Sequence, residues 1–200
     1  MASAIAADPA GLASQIPVDL FISKKHPGLA AGTIGVADAT GNILYTVEPQ
    51  SHKTNIFSHH IRHFILLDAD RHPVMTLSRK DRGCWQGYKS TTDGARKDLI
   101  FQTKTKSLSD GVKTQLQVFI VGPNGELDST TPHWKLKGNP SQRSCTISDH
   151  NSILAQTSLM YKLHQICVGR KKFRLTIYPA EDADRSLIVS LVVIFVYGKI

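Results

Sequence analysis

The sequence predicts a mainly β domain in which a long series of short strands is followed by one buried helix. From about Pro17 onward, apolar or alternating runs recur every roughly 8 to 12 residues between turn-forming residues, the pattern of a β-sandwich or barrel. The chain has 200 residues and 41% hydrophobic content, enough for one substantial core. No long polar or low-complexity block divides it, so we predict a single domain over residues 16–200.

The segment before this domain is predicted to be a disordered leader. Met1–Gln15 is rich in alanine and serine and has no positive charge before an apolar run, so it does not match a secretory signal peptide. The spacing of Cys84, Cys145 and Cys167 fits no zinc or redox motif. Together these features favour a reducing compartment, and we predict a cytoplasmic protein.

The clearest strand pair is an early hairpin. Thr33–Ala37 is followed by a turn in which Gly41 and Asn42 tolerate positive φ, and Ile43–Val47 returns. The same pattern recurs thirty residues later, where Phe64–Leu67 and Pro73–Leu77 flank a second turn. Two copies indicate a repeated hairpin unit within one sheet.

The remaining strands are short and mostly joined by glycine, asparagine, aspartate or proline. A sheet with this many strands usually curls or closes. They are predicted at Cys84–Lys89, Leu99–Thr103, Leu116–Val121, His133–Lys137, Cys145–Ser148, Ile153–Leu159 and Phe173–Tyr178.

The apolar segment Leu187–Tyr197 is predicted to be a helix inside the domain. Its eleven residues are too few for a membrane-spanning helix, which needs about 20. Six β-branched residues favour a strand by propensity, at a few tenths of a kcal/mol each. However, Pro179 and the acidic residues Glu181, Asp182 and Asp184 are typical of a helix start. Burial of the large side chains, about 1.5 to 3 kcal/mol each, outweighs the propensity cost.

Several separated motifs occur in a fixed order along the chain. The motifs are Leu66–Ala69 with Pro73–Leu77 and Lys80; Trp85 with Gly87, then Asp98–Phe101; Leu136–Asn139 with Arg143–Cys145; and Ile188–Ile194. Together they resemble the plant LURP-one-related family of the tubby-like, phospholipid-scramblase-like superfamily. The resemblance implies a closed antiparallel β-barrel of about 12 strands around a central C-terminal hydrophobic helix, mainly β and α+β by classification.

Two positions depart from the family pattern. Arg71 occupies a turn position that is usually glycine, so positive φ there would be costly. Family members commonly continue past the apolar helix with acidic residues and a polar tail, whereas Phe195–Ile200 carries one lysine and no acid. This difference raises the possibility that apolar surface near the helix end meets a partner.

No residue pattern predicts catalysis, a metal or a cofactor. His59, His60 and His63, with His52 nearby, have no acidic or thiol partner to complete a zinc site. Asp68–Asp70 and Asp182–Asp184 lack the spacing of a calcium loop, and turn or cap roles account for them. Cys84 and Cys145 fall in predicted strands, which favours inert core positions. We therefore predict that the protein is not an enzyme.

Basic residues provide the candidate binding site. The net charge is +8, and the densest basic run lies at a turn entering the last strand, where alternation places Lys172 and Arg174 on one face and Phe173 on the other. Such cations suit phosphorylated headgroups, although an ordinary solvated hairpin is the alternative. The candidate phosphoinositide-binding residues are Lys80, Arg82, Arg170, Lys171, Lys172 and Arg174.

The resemblance and the charge lead to one functional prediction with one rival. We predict a monomeric, non-enzymatic binding or scaffold domain that binds phosphoinositides or a protein partner, located in the cytoplasm or peripherally at the plasma membrane. The resemblance further implies a role in plant defence. The rival is a nucleic-acid-binding or membrane-tethered, transcription-related factor in the nucleus, motivated by the net charge of +8 but lacking aromatic stacking platforms beside the basic residues.

Overall fold

The chain folds into a β-barrel closed around its C-terminal helix. The computed structural model describes residues 16–24, 26–50, 63–90, 98–107, 114–122, 125–127, 130–150, 152–159, 172–180 and 184–198. The predicted leader, residues 1–15, lies outside the described residues.

Twelve antiparallel strands form the barrel wall, as the sequence predicts. Each strand pairs with its neighbours in chain order, and the last strand pairs with the first to close the barrel. The strands are β1 (Val18–Ser23), β2 (Ile34–Ala37), β3 (Ile43–Gln50), β4 (His63–Leu67), β5 (Pro73–Asp81), β6 (Cys84–Lys89), β7 (Asp98–Ser107), β8 (Thr114–Ile120), β9 (Trp134–Asn139), β10 (Ser144–Ser148), β11 (Ile153–Leu159) and β12 (Lys172–Ile177).

Strand boundaries differ from the prediction where polar residues continue a strand. Strand β7 extends beyond the apolar run Leu99–Thr103 to Ser107, because its polar end pairs with β8 as far as Thr114. Strand β1 was not delimited by the sequence analysis, although Leu20 and Ile22 alternate inward. Val121 lies outside β8 and forms an isolated bridge with Leu127.

Helix α1 (Arg185–Tyr197) fills the barrel, which confirms the predicted central helix. It is buried on all sides from Ser186 to Phe195 and packs against the inward residues of the strands. Asp184 caps its start: one carboxylate oxygen accepts a hydrogen bond from the Ser186 amide at 2.8 Å, and the other accepts one from the Ser186 hydroxyl at 2.9 Å. Enclosure therefore determines the helical state despite the β-branched residues.

The antiparallel arrangement gives the barrel two distinct ends. We call upper the end where β1, β5 and β9 finish and β12 begins, at Ser23, Asp81, Asn139 and Lys172. The lower end holds the turns after β2, β4 and β10. Helix α1 begins at the lower end, and its last residue, Tyr197, contacts side chains of the upper end.

The two predicted hairpins form at the lower end of the barrel. In the first turn Gly41 has a φ of 96°, but Asn42 does not adopt positive φ. The Asn42 amide and side chain instead donate to Asp38, at 2.9 and 3.3 Å. In the second turn Arg71 has the costly positive φ, 65°, and an ion pair with Glu48 at 2.6 Å accompanies it.

Candidate functional site

Four lysines form two rows on the outer wall of β7, β8 and β9. Alternation directs them outward, since the residues between them, such as Thr105 and Leu136, face the barrel interior. All four lysines are exposed. Each row has a glutamine of β8 between two lysines, and the rows are Lys104–Gln117–Lys135 and Lys106–Gln115–Lys137.

The turn between β5 and β6 extends this lysine surface. Lys80 and Arg82 are exposed at that turn, and Thr105 ties the turn to β7 by donating its amide and its hydroxyl to the Gly83 carbonyl at 2.9 and 2.8 Å. Gly83 has a φ of 77° and a Cβ there would lie 3.0 Å from Thr105, so the close approach requires glycine.

Cys84 lies between the turn and the lysine rows. Burial raises the pKa of the Cys84 thiol, and Asp81 adds to this effect, while the charges of Lys80 and Lys104 oppose it. In the strand register Cys84 lies opposite Asp81 of β5 and opposite Lys104 of β7, so Lys80 and Lys104 belong to the two strands that flank β6. We call this continuous surface the basic face, and its cations are Lys80, Arg82, Lys104, Lys106, Lys135 and Lys137.

The basic face has little acidic compensation. Asp81 is the carboxylate next to it, opposite Cys84 in the strand register, yet within the described ranges none of the six cations forms an ion pair. The Lys104 ammonium lies 5.1 Å from the ring centre of Phe119, which is only 3% exposed. Positive charge thus covers a polar surface without exposed aromatic rings among its described neighbours.

Two of the other predicted site residues, Lys172 and Arg174, lie on β12. Lys172 and Arg174 face outward and Phe173 inward, as predicted. Arg174 lies 3.5 Å from the Asp19 carboxylate and donates to the Ser158 hydroxyl at 3.3 Å. The second half of this predicted patch, Arg170 and Lys171, lies outside the described residues. Where the structure describes it, this patch is therefore partly neutralised.

The two predicted patches do not merge into one. Lys80 lies near the end of β5 and Arg82 follows it, whereas Lys172 and Arg174 belong to β12. Strands β1 to β4 separate the two patches along the shorter path around the barrel. Both patches lie toward the upper end, but they face different directions. The lysines of β7 and β9 extend the first patch.

A groove lies on the outer wall beside Lys172. It has a volume of about 410 Å³ and is lined by Phe21, Ser23, His26, Lys172 and the turn after β2. The Lys172 ammonium lies 5.2 Å from the ring centre of Phe21. This arrangement gives Lys172 a partly apolar environment.

The lysines of β7 and β9 were missed by the sequence analysis. A dense basic run indicates the two predicted patches, but these four lysines do not form one. A single residue separates Lys104 from Lys106, and a single residue separates Lys135 from Lys137. The signal that could have found them is this alternation, because period-two spacing places two cations on the outer face of a strand.

The remaining candidates serve the fold where they are described. Cys145 is buried, which raises its pKa to about 12, and the Asp68 carboxylate accepts from the His72 amide at 2.8 Å. His63 begins β4, whereas His52, His59, His60, Cys167, Asp182 and Ala183 lie outside the described residues. Within the described part, no group of three or more histidine, cysteine or acidic residues is placed to hold a metal ion.

Comparison with known proteins identifies the family. The family model described as LURP-one-related matches residues 18–196, which include every strand of the barrel and nearly all of helix α1. The chain belongs to the LURP-one-related family. The resemblance noted in the sequence motifs is thereby confirmed.

Relatives of this LURP-one-related chain include named proteins and a solved structure from Arabidopsis thaliana. Protein LURP-one-related 7 is 41% identical over 96% of this chain and 94% of its own length. Protein LURP-one-related 15 is 32% identical over 89% of this chain and 78% of its own. An X-ray structure of an Arabidopsis protein, 27% identical, covers 90% of both chains with a TM-score of 0.59.

The last property of the helical structure is its capacity to span a membrane. Among the residues that the structure describes, no helix combines the length and apolar character needed to cross a bilayer.

Proposed function

We propose that this LURP-one-related barrel is a non-enzymatic binding module whose basic face docks on phosphoinositides and other anionic phospholipid headgroups. The observation that carries the proposal is the basic face itself, where six cations share one outer surface without an ion pair among the described residues. Cations that do not stabilise the fold through a partner remain available to an external anion.

The shape of the basic face suits a membrane surface. Neighbouring strands are about 4.8 Å apart and alternate residues along a strand about 7 Å apart, so the two lysine rows form an open grid. Each lysine near an anionic leaflet contributes about 1 kcal/mol, and the attraction falls off within a Debye length. Several lysines on one wall would therefore hold the barrel at the membrane reversibly.

The proposal includes location and role. It places the protein in the cytoplasm, as a monomer attached peripherally to the plasma membrane, with a part in plant defence as the family resemblance implies. One candidate nucleophile fits a non-enzymatic role, because burial raises the pKa of the Cys145 thiol to about 12 and so keeps it protonated at neutral pH.

Nucleic acid is the less favoured ligand for the same surface. Proteins that bind single strands combine cations with aromatic rings on which bases stack. On the basic face the aromatic ring beside Lys104 is Phe119, and it is buried. A lipid surface requires no such stacking.

Vesicle sedimentation tests the proposal. The wild-type chain is mixed at about 0.15 M salt with phosphatidylcholine vesicles, with or without a phosphoinositide. We expect retention only on the anionic vesicles, and we expect Lys135→Gln with Lys137→Gln to weaken it roughly 30-fold, because two contributions of about 1 kcal/mol are removed.

The matched control removes two positive charges elsewhere. Lys89→Gln with Lys172→Gln changes the net charge equally, but Lys89 ends β6 at the lower end and Lys172 lies on β12. We expect this variant to bind almost as well as the wild type. Equal losses in both variants would show a net-charge effect, and no loss in either would refute the role of the basic face. Salt-sensitive gel shifts with DNA or RNA, abolished by the same two β9 substitutions, would favour the nucleic-acid alternative.

A further inference from the structure

Three side chains converge where helix α1 ends, at the upper mouth of the barrel. Lys24 follows β1, Arg143 ends the turn between β9 and β10, and Tyr197 is the last helical residue. The Lys24 ammonium lies 4.3 Å from the centre of the Tyr197 ring, and the Arg143 guanidinium lies 5.7 Å from the same centre. We call these three residues the mouth cluster.

Within the described residues, the mouth cluster carries more positive charge than the nearby groups balance. Neither Lys24 nor Arg143 forms an ion pair with any carboxylate in the described part of the chain. The negative end of the α1 dipole is equivalent to about half a charge, which offsets only a fraction of two cations. Burial lowers the pKa of Lys24, and the nearby Arg143 charge lowers it further. An anion placed between the two cations would relieve this repulsion.

The mouth cluster also contains buried hydrogen-bond donors with capacity to spare. Arg143 Nη1 and the Tyr197 hydroxyl are both buried, and neither makes a hydrogen bond of good geometry among the described residues. Burial raises the pKa of Tyr197, although the Arg143 charge partly opposes this, so the phenol keeps its proton as a donor. The Arg143 side chain is also near enough to the Tyr197 phenol to lower its pKa by hydrogen bonding. Buried donors are normally paired, and an unpaired donor on a cation is costly.

The backbone of Arg143 has a strained conformation, and two hydrogen bonds hold the backbone from which its side chain projects. Its φ is 52°, in the left-handed region that favours glycine or asparagine. The Thr157 hydroxyl donates to the Arg143 carbonyl at 2.9 Å, and the Arg143 amide donates to Pro140 at 3.1 Å. The turn thus holds a long cationic side chain at a position where a smaller residue would be easier to accommodate.

We infer that the mouth cluster is a binding site for a phosphate group. A phosphate monoester carries nearly two negative charges and several acceptor oxygens, which match two cations and the buried donors of Arg143 and Tyr197. The phosphate could belong to a soluble phosphorylated molecule or to a lipid headgroup. The site contains no residue of the basic face and so does not depend on the function proposed above.

Thermal unfolding in phosphate tests this site on the full-length chain. Inorganic phosphate replaces chloride at constant ionic strength up to about 10 mM, which keeps its general stabilising effect small. We expect the Tm of the wild type to rise with phosphate, because a ligand that binds only the folded state stabilises it. We expect no such rise for Lys24→Gln or Arg143→Gln.

Two further variants keep the test decisive. Tyr197→Phe retains the ring but removes the hydroxyl, and we expect a reduced rise in Tm. If Arg143→Gln does not fold, Tyr197→Phe and Lys24→Gln still test the site. Lys135→Gln with Lys137→Gln changes only the basic face and should show the wild-type rise. The inference is overturned if the wild type does not respond to phosphate, or if it responds no more than Lys24→Gln and Tyr197→Phe do.

The source of the phosphate is distinguished with two probes. Soluble inositol trisphosphate should raise the Tm of the wild type but not that of Lys24→Gln in either case. If the natural source is a lipid, Lys24→Gln should also lose retention on phosphoinositide vesicles while keeping its basic face. If the source is soluble, the vesicle retention of Lys24→Gln should be unchanged.

Discussion

The two ends of the barrel use charge differently. At the lower end, carboxylates hold the turns: Asp38 accepts from the Thr40 hydroxyl at 2.7 Å and from the Asn42 amide at 2.9 Å, and Asp184 caps the helix. Toward the upper end, the cations of the basic face and the mouth cluster have no described carboxylate partner. Charge at the lower end contributes to the fold, whereas charge at the upper end is the charge that we propose for binding.

Both ends depend on the same core, and the largest predicted effect comes from disrupting it. Val192 lies in the middle of α1 and is fully buried. We expect Val192→Asp to unfold the barrel, because an unpaired buried charge costs at least several kcal/mol, comparable with the total stability of a domain. Circular dichroism and thermal melting would measure this.

The control at this position is Val192→Ala, which leaves a small cavity. We expect it to stay folded with a loss of about 1 to 3 kcal/mol. A Val192→Asp variant that melts like the wild type would show that α1 is not enclosed, and the division into two ends would then lose its basis.

The next largest expected effect is on the free energy of unfolding, and it compares the loss of a structural carboxylate with the loss of a cation that has no described partner. We expect Asp184→Ala to destabilise the fold by about 1 kcal/mol through loss of the helix cap, and Asp184→Asn to retain most of the stability. Lys137→Gln should change the free energy of unfolding by less than about 0.5 kcal/mol. Urea titrations would compare them, and a larger loss for Lys137→Gln than for Asp184→Ala would contradict the comparison.

The smallest effect concerns acid pH at the lower end. The Thr40 hydroxyl, and with it the Asn42 and Thr40 amides, lowers the pKa of Asp38 in the folded state. Its contribution is therefore fully present above the ordinary aspartate pKa of 3.8 and is lost as the pH falls through the lowered value. His26 and Lys172 line the groove next to Asp38.

The measurement is the Tm from about pH 6 to about pH 2. We expect Asp38→Asn to show a shallower decrease below about pH 4 than the wild type, since asparagine does not titrate. Identical slopes in the two proteins would mean that Asp38 does not contribute to the acid sensitivity of this end.

The fold was largely predictable because its determinants are local. Alternating runs and turn residues identify most strands, and the apolar length of Leu187–Tyr197 with Asp184 before it identifies the helix. In the first turn positive φ falls on Gly41 alone, and Asn42 contributes by donating its amide and side chain to Asp38. The motifs that resemble the family supplied the closed barrel, which periodicity alone left open between a sandwich and a barrel.

The candidate sites were less predictable because they depend on register and closure. Lys104 and Lys106 belong to the polar extension of β7, where Lys104 pairs with both β6 and β8 and Lys106 pairs with β8. Lys24 and Arg143 meet at Tyr197 from three distant parts of the chain. The local density of basic residues indicates Lys80 and Arg82. It does not indicate residues that come together only when the barrel closes.

The pairing of β1 with β12 has a consequence for the order of folding. It joins Val18 to Ile177 and Ser23 to Lys172, so the wall closes only through contacts between distant parts of the chain. Such topologies fold slowly, typically in milliseconds to seconds. Helix α1 follows β12 and cannot thread into a finished barrel. We therefore expect helix enclosure and barrel closure to be a single late step, before which the apolar inner wall is exposed to aggregation.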